Sequence, residues 1–251
     1  MGRAIVSAVN SSESATLGGV WERPGFEGWA APFTKDGGLT LETGPEALVG
    51  AIDVVIDFTA PAATVRHAEW CAANGVAFVT GTTGLSADDT AQLAVAAESV
   101  AVVVAANMSV GVNVLAALVE QAARMLGSQF DLEVVETHHR KKRDAPSGTA
   151  LRLVEALQAG RTGKDGPLTP VFERYGDIGP RTADEIGVQT LRGGDVVGEH
   201  TVFYYGDGER IELTHRATDR GVFASGAVRA ALWAAGQSSG YFSMADVLGA
   251  N

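Results

Sequence analysis

The first half of the chain alternates short β-branched runs with helical stretches, and this alternation limits the folds that it can adopt. Residues 52–58 form a mostly apolar run that is typical of a buried strand, and Pro61 is placed for the first turn of a helix. Residues 77–80 and 100–105 are predicted as further strands, with a helix over residues 87–98 between them. Strands joined by helices in this order build a doubly wound parallel sheet.

The pattern changes after about residue 110, where strands separated by glycine-containing turns become more frequent. A long helix over residues 111–126 and a strand over residues 132–138 precede a mostly loop-like stretch, residues 160–186. We predict short strands at residues 188–191, 200–205 and 210–215, separated by hairpin turns at residues 193–195 and 206–208. A closing helix is predicted at residues 225–237. The sequence therefore predicts a Rossmann-like, nucleotide-binding domain (residues 1–109 and 220–251) and an α+β domain (residues 110–219) with a mixed, largely antiparallel sheet.

Composition excludes several classes of function. The chain has 251 residues, of which 46% are hydrophobic, yet no apolar run reaches the roughly 18 residues that a membrane span needs. The start lacks the apolar core of a secretory signal, so we expect a cytoplasmic protein without a membrane partner. A single cysteine, Cys71, excludes an internal disulfide and a thiolate-rich metal site, and we expect no metal. A net charge of −11 argues against a nucleic-acid partner.

One basic cluster stands out against this acidic background, at residues 138–143. A predicted strand carries His138 and His139 to its end, and the chain then turns through Ser147, Gly148 and Thr149 into a helix over residues 150–157. Free amides at a helix start bind anions, and histidine donates or accepts protons near neutral pH. The stretch therefore predicts a site for a carboxylate or phosphate, with proton transfer.

A solvated basic loop is the alternative interpretation of this stretch, with Ser147 as an ordinary N-cap. For Arg143 alone that interpretation is the better one, and for Lys141 the two are balanced. For the whole set, however, two histidines, Lys142 and the Ser-Gly-Thr turn would have to meet by accident. We therefore favour a functional site.

The pattern His-His-x-x-Lys-x-Asp-x-Pro-Ser-Gly-Thr-Ala at residues 138–150 resembles the signature of the 4-hydroxy-tetrahydrodipicolinate reductase family. The resemblance extends over nearly the whole chain, including residues 56–59, 81–84, 105–113, 194–201 and 223–229. It implies a reductase that transfers a hydride from NADPH or NADH to a cyclic imine with two carboxylates, on the route to diaminopimelate and lysine. It also implies that residues 1–109 and 220–251 form a dinucleotide-binding domain and that residues 110–219 form a substrate-binding and oligomerisation domain, through whose sheet a homotetramer assembles.

The resemblance assigns roles to individual residues. His138 and Lys142 would be the catalytic acid pair, and the substrate would be held by His139, Ser147, Gly148 and Thr149. Cofactor contacts would come from ends of strands, from a glutamate suited to ribose hydroxyls, from an arginine suited to the 2′-phosphate of NADPH, and from the closing helix. These residues are Met1, Gly2, Glu22, Arg23, Gly81, Thr82, Thr83, Ala105, Ala106, Asn107, Met108 and Arg220.

Several of these positions have simpler explanations. Glycine-containing strand ends are also ordinary turns, and a Glu-Arg pair usually lies on the surface without a binding role. His200 and His215 are expected to be structural strand residues, and His67 is expected on a helix surface.

Two other functions stay open. One is a reductase of similar two-domain build that acts on an amino-acid semialdehyde, which would lack the stretch at 138–150. The other is a nucleotide-sensing or assembly protein that keeps the fold without turnover.

The chain departs from the family pattern at its start. Members of the family open with a strand and a Gly-x-x-Gly-x-x-Gly loop that ends in Met-Gly-Arg, whereas this sequence opens at Met1-Gly2-Arg3 and holds only the last of these glycines. We therefore expect the first strand and most of the pyrophosphate-binding loop to be missing, and cofactor binding to be weaker than in a chain extended upstream.

Overall fold

A computed structural model of the chain describes residues 1–22, 41–42, 44–163 and 166–250. These residues form two compact units, the first from the described parts of Met1–Val110 and Gly221–Asn251, the second from those of Gly111–Arg220. The helices are α1 (Gly2–Asn10), α2 (Pro61–Asn74), α3 (Ala87–Ala96), α4 (Val110–Leu126), α5 (Gly148–Gly160), α6 (Gly221–Ala234) and α7 (Met244–Leu248). The strands are β1 (Val20–Trp21), β2 (Leu41–Glu42), β3 (Val54–Asp57), β4 (Ala77–Thr80), β5 (Ala101–Val104), β6 (Asp131–His138), β7 (Thr169–Val171), β8 (Glu185–Arg192), β9 (Gly198–Gly206), β10 (Glu209–Ala217) and β11 (Gly240–Phe242).

The first unit contains a parallel sheet in the order β11-β5-β4-β3, and β1 and β2 form a separate parallel pair. Alternate residues of β4 face opposite sides: Phe78 packs with Leu93 of α3 and Cys71 of α2, whereas Val79 packs with Ala227 of α6. Helices thus cover both faces of the sheet, which confirms the predicted doubly wound arrangement.

Local signals predicted the elements around β4 closely. Pro61 stands in the first turn of α2, and the helix ends at Asn74 before Gly75, whose φ of 69° is a left-handed conformation that glycine adopts without strain. The predicted strand at residues 77–80 is β4 itself. The C-terminal β11 and α7 were not predicted from the pattern. No helix among the described residues is long and apolar enough to cross a membrane.

The second unit contains a mixed sheet in the order β10-β9-β6-β8-β7. The pairs β10·β9 and β9·β6 are antiparallel, whereas β6·β8 and β8·β7 are parallel. One face is covered by α4 and α5, where Leu153 and Leu157 pack against Val134 and Tyr204. The hydroxyl of Tyr204 donates to the carbonyl of Val119, 2.7 Å away, and so anchors the sheet to α4.

The predicted hairpin across residues 193–195 is wrong, because β6 lies between β8 and β9. The turn instead crosses the end of β6, where Gly193 N donates to His138 O at 3.0 Å and Arg140 N donates to Gly194 O at 3.3 Å. A glycine turn permits a sharp change of direction but does not fix which strand pairs next. The turn at residues 206–208 does join a hairpin, β9 and β10, and β7 occupies part of the stretch predicted as mostly loop.

Candidate active site

Three neighbouring strands of the second unit bring polar side chains together at the end of β6. Alternation along β6 places Glu136 and His138 on the face that the helices cover, and both are buried. In the ladder, His138 is paired with Arg192 of β8 and Glu136 with His200 of β9. The register therefore assembles a carboxylate, a guanidinium and two imidazoles from residues distant in sequence.

Glu136 is fully buried, and its carboxylate is surrounded by donors. Oε2 lies 2.5 Å from Nδ1 of His138 and 2.8 Å from Nη1 of Arg192. Oε1 accepts from Nη2 of Arg192 and from the backbone N–H of Ser147, both at 2.9 Å. Burial would raise the pKa of Glu136, but these hydrogen bonds outweigh it and lower the pKa, so the side chain is ionised at neutral pH.

The two buried imidazoles of the cluster are neutral near pH 7. Burial lowers the pKa of His138, with Lys142 and Arg192 acting in the same direction and Glu136 opposing them. Burial, with repulsion from His138, lowers the pKa of His200 to about 4. The rings of His138 and His200 pack edge to face with their centroids 5.1 Å apart. A neutral His138 can accept a proton and pass it on.

The start of α5 adjoins this cluster. Ser147 is the N-cap: its hydroxyl accepts from Ala150 N at 3.2 Å and lies 3.2 Å from Nε2 of His200. Its side chain thus has the capping role that the alternative interpretation predicts. Gly148, next in the chain, is exposed, and a Cβ added to it would meet no atom within 4 Å. The open first turn of α5 suits an approaching anion.

The basic residues after β6 are placed differently from one another. Lys142 Nζ forms an ion pair with Asp144 at 2.8 Å. His139 lies with Nε2 3.5 Å from Nη2 of Arg220, and both line an open cavity of about 580 Å³ with Arg140, Lys141, Gly194 and Asp195. The structure therefore places Arg220 beside a predicted substrate residue, within the second unit.

The predicted cofactor residues of the first unit lie at strand ends and at a helix start. The Gly81-Thr82-Thr83 segment follows β4, and the segment from Ala105 to Met108 follows β5. Met1, Gly2 and Glu22 line a groove of about 650 Å³ that also borders β3. The first turn of α1 has no side-chain cap, so its amides suit a phosphate. Glu22 follows β1 and offers a carboxylate for ribose hydroxyls, so the described residues fit a dinucleotide; Arg23 lies outside them.

Not every predicted cofactor side chain is available. Thr82 is buried and donates from Oγ1 to Oδ2 of Asp57 at 2.9 Å, and Met108 packs in the core beside α6. These two residues can offer a ligand only backbone groups. His67 is a correction: it does not lie free on the surface of α2, because its Nδ1 is 2.8 Å from Oδ1 of Asp57.

Glu136 and Arg192 are the site residues that sequence reasoning missed. Glu136 stands two residues before the stretch at residues 138–150 and shares a strand face with His138, which was an available signal. Arg192 had no such signal, because 54 residues separate it from His138 and only the parallel pairing of β6 with β8 brings them together.

Comparisons with known proteins agree over both units. Residues 1–108 match the model of the dihydrodipicolinate reductase N-terminus, and residues 111–248 match that of its C-terminus. A 4-hydroxy-tetrahydrodipicolinate reductase of Myxococcus xanthus (strain DK1622) is 52% identical over 255 residues, covering 96% of this chain and 91% of the relative. One from Anaeromyxobacter sp. (strain Fw109-5) is 52% identical and covers 99% of this chain and 94% of its own length.

Solved structures give the same result. A dipicolinate-bound dihydrodipicolinate reductase from Paenisporosarcina sp. TG-14 superimposes with a TM-score of 0.77 at 25% identity, covering 96% of this chain and 92% of that one. GenD2 from gentamicin A biosynthesis, solved with NAD, has a TM-score of 0.60 at 14% identity, covering 92% of this chain and 82% of that one; this likeness shows the fold alone.

Proposed function

The chain belongs to the dihydrodipicolinate reductase family, and on that premise we propose which of its residues carry out the reduction. The enzyme reduces 4-hydroxy-tetrahydrodipicolinate to tetrahydrodipicolinate, with NADPH or NADH as the reductant, in diaminopimelate and lysine biosynthesis. Two relatives named for this reaction are 52% identical to the chain over nearly its whole length. They favour the enzyme over a nucleotide-sensing protein without turnover.

His138 and Lys142 are the proposed acid pair. The nicotinamide, when bound, supplies the hydride. A hydride added to one carbon of the conjugated imine leaves electron density on its neighbour, which a positioned acid must protonate. His138 provides an imidazole whose Nδ1 is held by Glu136, and Lys142 provides an ammonium close enough to influence the imidazole. The orientation of this imidazole by Glu136, at the end of β6, is the observation that carries the proposal.

The proposed substrate site is formed by the first turn of α5 and the segment before it. His139, Ser147, Gly148 and Thr149 hold a substrate carboxylate, with Ser147 acting through its position at the N-cap because its hydroxyl is already used. Several converging donors suit a carboxylate, and an exposed glycine lets the ligand approach the backbone. Arg220, 3.5 Å from His139, adds positive charge beside this histidine, although family resemblance assigned it to the cofactor.

The proposed cofactor site comprises the ends of β4 and β5, the start of α1, and Glu22. Ligands of open parallel sheets bind beyond the carboxyl ends of the strands, which supports backbone contacts from Gly81 and from residues 105–108. Gly2 lines the groove at the start of α1, where no side chain caps the amides that a phosphate would contact. Arg23 is proposed to bind the 2′-phosphate of NADPH.

The test of this function is loss of reduced-nicotinamide absorbance with substrate generated in place by the preceding synthase. Turnover that needs the synthase and disappears in His138→Ala supports the proposal. Binding of NADPH without turnover would instead support a nucleotide-sensing protein, and turnover of an amino-acid semialdehyde would support the other reductase.

We also propose that the protein is cytoplasmic, binds neither nucleic acid nor a membrane, and assembles as a homotetramer through its five-stranded sheet. On the face opposite the helices, Leu191 and Tyr205 are exposed, and the ring of Phe203 stacks on that of Tyr205. Parallel strands such as β6 and β8 are usually covered on both faces. Tyr205→Glu should lower the mass measured by sedimentation, and an unchanged mass would contradict the proposed interface.

A further inference from the structure

Glu136 is the centre of a buried hydrogen-bond network at the end of β6. Its two carboxylate oxygens accept from Nδ1 of His138, both terminal nitrogens of Arg192 and the backbone N–H of Ser147, with Thr190 Oγ1 at 3.4 Å. The side chain is fully buried, so no water competes for these positions. A buried carboxylate with a bidentate arginine is ionised and can only accept hydrogen bonds.

This contact fixes the tautomer of His138. Because Glu136 is an acceptor only, the ring must carry its hydrogen on Nδ1, which leaves Nε2 as the atom that takes up and releases a proton. Nε2 faces Gly198 of β9, where a Cβ would lie only 3.0 Å away. The glycine therefore keeps the space beside Nε2 free of a side chain.

The charged and titratable groups around His138 come from each neighbouring element. Glu136 is on the same strand, Arg192 on β8, His200 on β9, and Lys142 in the segment that leads to α5. His200 is neutral near pH 7, and the two cations oppose a proton on His138. Glu136 is thus the group in this set whose charge favours the imidazolium.

We propose that Glu136 is a positioning residue that fixes the orientation and tautomer of His138 and supplies the negative charge that lets Nε2 carry the proton, while Arg192 and the N–H of Ser147 hold Glu136 in place. The proposal rests on the proposed function, since it takes His138 as the acid. Glu136 itself touches neither substrate nor cofactor.

The experiment compares Glu136→Gln with a matched control on the same strand. Glu133 forms an equivalent bidentate pair with Arg174, both distances 2.8 Å, but faces the opposite side of β6. In Glu136→Gln, kcat should fall about 10-fold or more, with KM for NADPH nearly unchanged. The pH above which kcat declines should move down by about one unit, because the charge that favours protonated His138 is gone. Glu133→Gln should keep the wild-type profile.

A second measurement does not require Glu136→Gln to fold. Nitrogen-15 NMR of histidine-labelled wild-type protein, with the His138 signals assigned by their loss in His138→Ala, should show the Nδ1–H tautomer at neutral pH. An Nε2–H tautomer, or a wild-type pH profile in folded Glu136→Gln, would overturn the role of Glu136. Absence of turnover in the wild type would instead overturn the proposed function and leave the NMR result as the test of the contact.

Discussion

The Nδ1 atom of His67 on α2 lies 2.8 Å from Oδ1 of Asp57, the last residue of β3. Asp57 is buried and accepts further hydrogen bonds from four hydroxyls, those of Thr59, Thr64, Thr80 and Thr82. Burial would raise the pKa of Asp57, but the hydrogen bonds from His67 and the threonines lower it below its ordinary value of 3.8. The carboxylate therefore ties α2 to the ends of β3 and β4.

This network predicts a pH-dependent contribution to stability. A carboxylate whose pKa is lower in the folded state adds stability above its unfolded pKa, and that stability is lost as pH falls through the folded-state value. Asp57→Asn should lower the free energy of unfolding by about 2 kcal/mol at neutral pH, and its difference from wild type should shrink below about pH 4. Denaturant unfolding at a series of pH values measures this, with exposed Asp53→Asn as the control. A deficit that stays constant down to about pH 3 would contradict it.

The sequence predicted the fold and the candidate site only in part. Alternating apolar runs predicted the strands, because burial of a sheet face is a local pattern. The inward position of His67 was available from helical spacing, since it lies three residues after Thr64 and four before Cys71, both buried. The pairing of β6 with β8 was not available, because strand order is decided by packing between distant segments. Arg192 and its contact with Glu136 therefore needed the structure.

Removing either proposed acid should affect turnover much more than cofactor binding. His138→Ala and Lys142→Ala should each lower kcat by about 10²-fold or more, because they deliver a proton and stabilise developing charge. Steady-state kinetics and NADPH titration measure the two effects separately. Arg143→Ala, an exposed neighbour, is the control and should keep wild-type kcat. Wild-type kcat in both His138→Ala and Lys142→Ala would show that the assignment is wrong.

Changes at the start of α5 should act chiefly on KM. Thr149→Val removes a hydroxyl while keeping the shape of the side chain, and Gly148→Ala adds a methyl group that meets no protein atom within 4 Å. Either change should raise KM for the dicarboxylate about 10-fold with little change in kcat, because these groups bind carboxylate equally in the ground and transition states. Because the added methyl group has space in the protein, a higher KM in Gly148→Ala would come from its contact with the ligand. Gly236→Ala, in ordinary contact with Trp233, controls for the general effect of the substitution. An unchanged KM in both variants would exclude them from the substrate site.

Arg23 should distinguish the two cofactors. Only NADPH carries the 2′-phosphate that an arginine beside Glu22 can bind, so Arg23→Ala should weaken NADPH more than NADH. Fluorescence titration of the same protein with each cofactor measures the difference. Arg66→Ala, on α2, controls for the general effect of removing a positive charge from the first unit. Equal losses for NADPH and NADH would contradict the role of Arg23.

Gly198 should matter for catalysis through the space that it leaves beside His138. A Cβ at this position would lie 3.0 Å from Nε2 and 3.4 Å from Cδ2 of His138, and 3.6 Å from Cε1 of His200. The ring is held on its other side by Glu136 at 2.5 Å, so it cannot move away without weakening that hydrogen bond. Gly198→Ala should therefore lower kcat about 10-fold while costing about 1 kcal/mol of stability.

The control for Gly198→Ala is Gly193→Ala, near the same end of β6, because a Cβ there meets no atom within 4 Å. A double variant tests whether the effect passes through the imidazole: in a His138→Ala background, Gly198→Ala should lower kcat little further, since the group that it crowds is already gone. If the effects of the two substitutions on kcat instead multiplied, Gly198 would act on the substrate or the fold independently of His138. Keeping space beside Nε2 would then not be its function.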